Sequence, residues 1–376
     1  MNLKRLSDES GLILIVALTL LTALTLAGVT AFIVASTDVK VGGNVRTTQT
    51  ALQVAMAGAE HARETLRALN SASVNKTNFS EELAIRIGAN ATLDGYTSST
   101  DDSPLASSST LITGYSYNAY LTNDASEGTS NVVDANGKVV VMSVATGPGN
   151  SKAIVQTTVQ LYSFSSSSPA TIYSKDNVTV SGTSISISGT DASPACGGTG
   201  LAPIYTMDPA TTTQNGNPVL TGSPPTPEHG TEDIDLESYV DTLKGAASVT
   251  LTSDVSNGTY GSATNFVTVY ADAAGTQADG ELKLTNATGY GILLVKGDLE
   301  LAGNLDWNGL ILVTGKIKTT GGGSNAKNIL GQVYGGKSDL GDSTISGSVT
   351  ISYHSCNIKN ALASQPLKLV NWKQNY

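Results

Sequence analysis

Charged side chains are scarce in this chain of 376 residues: Asp, Glu, Lys and Arg make up 14% of it, against roughly a quarter in an ordinary soluble domain. Cysteine is rarer still. Cys196 and Cys356 are the only two, which excludes a disulfide-dense mini-domain and any zinc site built from four thiolates. Histidine occurs three times, at His61, His229 and His354, and no two have the spacing of metal ligands. Basic residues number 21 against 31 acidic ones, a net charge of −10, so a nucleic-acid partner would find no positive footprint for its phosphates. Phe and Trp are few, four and two, against fourteen Tyr, so most of the aromatic surface has a wet end. What is plentiful is Ser, Thr, Gly and Asn, about two fifths of the chain. Hydroxyls and amides, more than charges, carry its polarity.

The one long apolar run lies near the beginning. No charged residue falls between Ser10 and Thr37, and residues 11–35 are almost all apolar or small. As a helix that run is ~38 Å long, more than the ~30 Å hydrocarbon core of a bilayer. A cleaved secretory signal would have a shorter apolar region and a small-x-small cleavage site at its end. Lys4 and Arg5 precede the run and favour cytoplasmic retention of the leader, which sends the rest of the chain outward. In an oxidising compartment Cys196 and Cys356 can pair. Helical character continues past the apolar run: no Pro occurs between Val39 and Leu69, and Val41, Val45, Leu52, Ala55, Met56, Ala59, Ala62, Leu66 and Leu69 recur mostly at threes and fours. The spacing predicts one helix over 12–69, with its membrane-spanning part at 12–35, ended by Asn70 and the polar residues after it.

A short charged leader ending in Gly11, an apolar helix at once behind it and an amphipathic extension resemble the class III signal of type IV pilins. The stretch from Gly11 to Glu64, with the Ala-rich run at Ala55–Glu60, is similar to the N-terminal domain of PilX-type pilus assembly proteins. The resemblance implies a leader at 1–11, cleavage between Gly11 and Leu12 by prepilin peptidase, and methylation of the new amine. It also implies residence in the inner membrane before assembly and partnership with other pilin subunits through the helix. Small residues such as Ala17, Ala23, Ala27, Gly28 and Ala31 would let helices approach closely there. The first mature residue would be Leu12 where the family has Phe or Met, and the fifth is Val16 where most pilins have Glu. That family Glu is thought to neutralise the terminal amine of a neighbouring subunit. Val16 cannot do so, and the expectation is few copies, held at the filament tip.

Beyond the helix, residues 70–165 contain a short helical candidate at 80–87 and three runs of period-two alternation, at 111–121, 138–145 and 152–164, read as an antiparallel meander. Ser165–Pro169 reads as a boundary. From 170 to 376 short apolar stretches alternate with Gly, and Gly291–Leu301 aligns with Gly309–Thr319 at an offset of 18. Three further stretches, at 175–189, 330–336 and 343–353, repeat the theme less closely. The expected fold is α+β: a long helix packed on an antiparallel meander, then a β-rich region built as a β-solenoid or, alternatively, as a sandwich with hairpins. Leu201–Pro227 is Pro-rich, and an acidic helix is expected near 233–247.

The sequence offers no strong catalytic constellation. Gly331–Ser338 satisfies the phosphate-loop pattern G-x-x-x-x-G-K-[ST], but the residues after it have turn formers and β-branched side chains instead of a helical pattern. No G-x-S-x-G elbow occurs. Acidic clusters at 232–237, 298–300 and 339–342 lack the spacing of a calcium loop. The expectation is a non-enzymatic protein without cofactor or metal, a minor pilin or pilus assembly protein. A surface adhesin for cells or glycans and a type II secretion pseudopilin stand as alternatives. A bond between Cys196 and Cys356 would fasten the start of the Gly-rich region to its end.

Overall fold

The computed structural model describes residues 5–73, 76–97, 101–162, 169–321 and 326–375, with side chains described from Leu12 onward. The expected boundary at 165–169 and the first residues of the expected leader lie largely outside them. The N-terminal helix, α1, runs without interruption from Arg5 to Ala72, about 100 Å at 1.5 Å per residue. It therefore begins inside the expected leader and ends two residues past Asn70.

Two kinds of surface divide α1. From Leu12 to Val45 every large apolar side chain is exposed. From Ala51 on, one face is buried: Ala51, Val54 and Ala55 pack against Tyr117, Ala145 and Val155, and Ala62 and Leu66 pack against Leu121, Val139, Val141 and Val159. The small residues bring the helix close to the sheet. At Gly58 a side chain would run into Ser143 and the Tyr117 ring.

The sheet under α1 consists of β1 (Ala106–Ser108), β2 (Ser116–Asn123), β3 (Lys138–Thr146), β4 (Lys152–Gln160) and a closing strand, Lys368–Asn375, in that order. All neighbours pair antiparallel. The meander read from the alternating runs forms β2 to β4. Its fifth strand arrives from some two hundred residues further on.

The second sheet is parallel and curled. It has seventeen strands among the described residues, drawn from Ala170–Met207, Thr212–Gly230 and Val249–Ser352. Its pairing is parallel between every pair of named strands, so the hairpin sandwich is not what forms. The offset of 18 between Gly291 and Gly309 is a ladder register: Gly291 faces Gly309, and Gly309 faces Gly331. Residues of one kind thereby stack across strands. Leu293, Ile311, Val333, Ile172 and Ile204 form one such row, and Trp307, Ile329, Ile351 and Ile187 another. These rows make the inner core. The outer side of the 291–296, 309–313 and 331–335 stretches is apolar too, and the helices Leu236–Leu243 and Ser355–Ala363 cover it through Leu236, Val240, Leu243 and Ala361. Asp235 caps the first of these helices by accepting from the Ser238 amide at 3.0 Å.

Candidate functional site

The largest feature without an intramolecular partner is the first half of α1. Leu12 is 65% exposed, Val16 52% and Phe32 75%, and an apolar surface of that extent marks a place of contact with membrane or protein. By length and composition this segment can cross a membrane, with a mean hydropathy of 2.6 over its most apolar window and none of that window buried. Its polar atoms are already satisfied. The hydroxyl of Thr19 donates to the Val16 carbonyl at 2.9 Å, that of Thr22 to Leu18 at 3.0 Å, Thr30 to Leu26 at 2.7 Å, Ser36 to Ile33 at 2.9 Å and Thr37 to Ile33 at 2.8 Å. Internal bonds of this kind lower the cost of leaving water.

The residues expected to mediate assembly share a side of this helix. At 100° per residue Ala17, Ala23, Ala27, Gly28 and Ala31 fall within about 140° of the circumference, and all five are exposed. A side chain built on Gly28 would meet nothing within 4 Å, so no contact inside the molecule calls for glycine there. Gly11 lies within the helix, next to Leu12. Between the apolar segment and the head, residues 37–46 form an exposed stalk that carries Asp38, Lys40 and Arg46. Gly42 and Gly43, also free of neighbours, are its weakest helical positions.

Cys196 and Cys356 are joined in a disulfide, with their Cα atoms 5.2 Å apart and a sequence separation of 160. The bond ties the short turn Pro194–Cys196 to the first turn of the Ser355–Ala363 helix. Asp191 reinforces the same junction, accepting from the Ser355 amide at 3.0 Å and the Ser355 hydroxyl at 2.6 Å. Burial pushes the Asp191 carboxyl up, and these bonds outweigh it and hold it below the ordinary range.

The remaining motifs resolve into structure. Gly331–Gly335 of the phosphate-loop pattern is the end of a strand, Ala326–Gly335, and the Ser338 amide points at Asp176 Oδ2, 2.7 Å away. Such a segment has no helix N-terminus to offer an anion. His61 bonds the Tyr117 hydroxyl at 2.6 Å, His229 lies 3.0 Å from Asp208, and His354 caps its helix by accepting from the Asn357 amide at 3.2 Å. Each acidic cluster has carboxylates engaged locally: Asp233 pairs with Lys175, Asp298 with Lys316, Glu300 with Lys283 and Lys318, and Asp342 accepts from Asn177. Among the described residues no group of three or more His, Cys, Asp or Glu is placed to hold a metal.

No protein-family model matches the chain, and no curated protein matches it in sequence. Among solved structures it is similar to the crystal structure of the competence-associated pilin ComZ from Thermus thermophilus, with 11% identity over 88% of this chain and 98% of that one, at a TM-score of 0.24. A score that low is below what a shared fold gives, so the likeness establishes neither fold nor function.

Proposed function

We propose that the protein is a minor, non-catalytic subunit of a type IV pilus or a related filament, held by α1 and displaying its two sheets outside. The observation that carries the reading is the division of one continuous helix: the large apolar side chains from Leu12 to Val45 are all exposed, while residues 51–66 are packed on an antiparallel sheet. A transmembrane anchor alone needs about 20 residues. Forty more in the same rigid rod make sense where the bare half leaves lipid for a bundle of like helices, exchanging lipid contacts for close packing along Ala17, Ala23, Ala27, Gly28 and Ala31. In this reading prepilin peptidase cuts after Gly11, Leu12 becomes the methylated first residue, and Val16 leaves the amine of any subunit above it uncompensated, which favours the tip. The curled parallel sheet is read as stacked solenoid coils, supported by rows such as Gly291, Gly309 and Gly331 that keep one register from strand to strand.

Photocrosslinking tests the assembly role. A photoreactive residue at Val29, exposed on α1, is expected to give adducts with other subunits in purified filaments, whereas one at Ala62, buried in the head, gives none. Adducts at Val29 with lipid alone, with the protein absent from filaments, would overturn the proposal.

A further inference from the structure

We propose that the closing strand, Lys368–Asn375, is a docking edge for an extended, acidic polypeptide segment of another protein. The strand ends the antiparallel sheet: it pairs with β4 on one side, and among the described residues no strand pairs with its other side. Six residues in a row, 368 to 373, are exposed, so neither face of the strand is covered. Three of the six are large and apolar, Leu369 at 43%, Val370 at 45% and Trp372 at 43% exposure. Such an edge offers a row of backbone donors and acceptors beside apolar anchors, which is what β-strand addition uses.

The strand also leads into a cleft. Its first residue, Lys368, stands at the rim of a cavity of about 290 Å³ walled by Leu161, Tyr162, Leu243 and Leu362, between the antiparallel sheet and the two helices that cover the parallel one. An added strand would therefore have main-chain bonds along its length and a partly apolar recess near one end for a side chain. The register of the closing strand shifts between Leu369 and Asn371, and Val370 is the residue left without a partner on β4.

Charge selects the occupant. The chain as a whole carries −10, yet the closing strand holds Lys368 and Lys373, and neither it nor its neighbour β4 has an Asp or Glu. From Ser343 to Tyr376 there is likewise no acidic residue. Pairing the closing strand with its own copy would bring two lysine-bearing strands together. A segment with apolar residues alternating with Asp or Glu complements both the apolar anchors and the lysines.

The strand belongs to the sheet that packs on α1 from Ala51 onward and includes none of the bare part of the helix, so this inference stands whether or not the helix assembles into a filament. The test uses the full chain in phosphatidylcholine nanodiscs and fluorescence anisotropy of three labelled probes: a short peptide of alternating Val and Glu, its Val and Lys counterpart, and the Val and Glu peptide with alternate backbone nitrogens methylated. The first is expected to bind saturably, the other two and the Trp372→Ala variant to weaken binding about tenfold or more, the size of loss that follows removal of a central aromatic anchor. Retention of the Cys196–Cys356 bond and an unchanged circular dichroism spectrum would show that the variant is folded, and Val370→Asp, which removes an exposed anchor and repels an acidic segment, gives a second, surface-only variant with the same expected loss. Equal binding of the three peptides, or no binding of the first, would overturn the proposal. So would peptide-independent dimerisation abolished by Trp372→Ala, which assigns the edge to a second copy. A Trp372 fluorescence shift in phosphatidylglycerol nanodiscs with no peptide binding would assign it to lipid and equally overturn it.

Discussion

Glu300 is a carboxylate with 5% of its surface exposed, lying between Lys283 at 2.8 Å and Lys318 at 2.6 Å on the neighbouring strands and accepting from the Thr320 hydroxyl at 2.9 Å. Burial alone would raise its pKa. The bonds from Lys283, Lys318 and Thr320 outweigh burial and bring it down to about 2. Its folded value is thus below its unfolded one, so its stabilisation is complete above the ordinary carboxylate range and is lost as pH falls toward 2. Glu281, a neighbour of the same cluster, goes the other way. Burial raises it, Lys318 opposes the rise, and the hydrogen bond and charge of Glu300 add to it. Its ionised form at neutral pH therefore costs stability. Glu300→Gln is expected to lower stability at neutral pH by about 2 kcal/mol and to flatten the acid side of the stability profile, while Glu281→Gln raises the melting temperature at neutral pH. Denaturation followed from low to neutral pH checks both signs, and a fall in stability for both variants would contradict the assignment.

At the scale of elements, the parallel sheet depends on a row of residues without side chains. A Cβ on Gly309 would meet the Gly291 carbonyl, and one on Gly331 would meet the Gly309 carbonyl. Gly291 and Gly309 also have φ of 132° and 136°, outside what L side chains readily adopt. Gly331 has no such φ, so Gly331→Ala isolates the steric term. It is expected to destabilise by about 1–3 kcal/mol, measured by chemical denaturation. The Gly291–Gly309 step of this row was visible in the sequence because Gly291–Leu301 and Gly309–Thr319 repeat at 18 residues, and that spacing is the register, whereas the stretch with Gly331 repeats less closely and at another spacing. α1 was equally legible, since an uncharged run followed by threes and fours has no alternative in the strand period. The closing strand was not. Its residues, KLVNWKQN, do not alternate, because both of its faces lie outside any core, and nothing local says that they pair with 152–160. Of the candidate sites, the bare half of α1 could be read residue by residue, whereas the docking edge exists only once the sheet order is known.

For the whole molecule, the decisive contacts are those between distant parts of the chain. Residues 172–174 pair with 333–335, 178–181 with 343–346 and 185–188 with 349–352, so the beginning of the parallel sheet docks against its end in sequence. Sequence patterns could suggest that strands stack, but not this order, because the Gly-punctuated strands present similar apolar rows. The Cys196–Cys356 bond fastens that junction. In the chain-entropy account, closing a loop of 160 residues restricts the unfolded chain by about 4–5 kcal/mol. Cys356→Ser is expected to lower the thermal midpoint markedly, and an unchanged midpoint would show that the junction holds without it.

The central claim concerns α1: its bare half belongs to a filament once a leader has been removed. It is tested most directly by the N-terminal residue, read by mass spectrometry, of this protein recovered from sheared surface filaments. The account predicts N-methylated Leu12. An intact chain beginning at Met1 and confined to the membrane fraction, or a mature end elsewhere in the apolar segment, would contradict it.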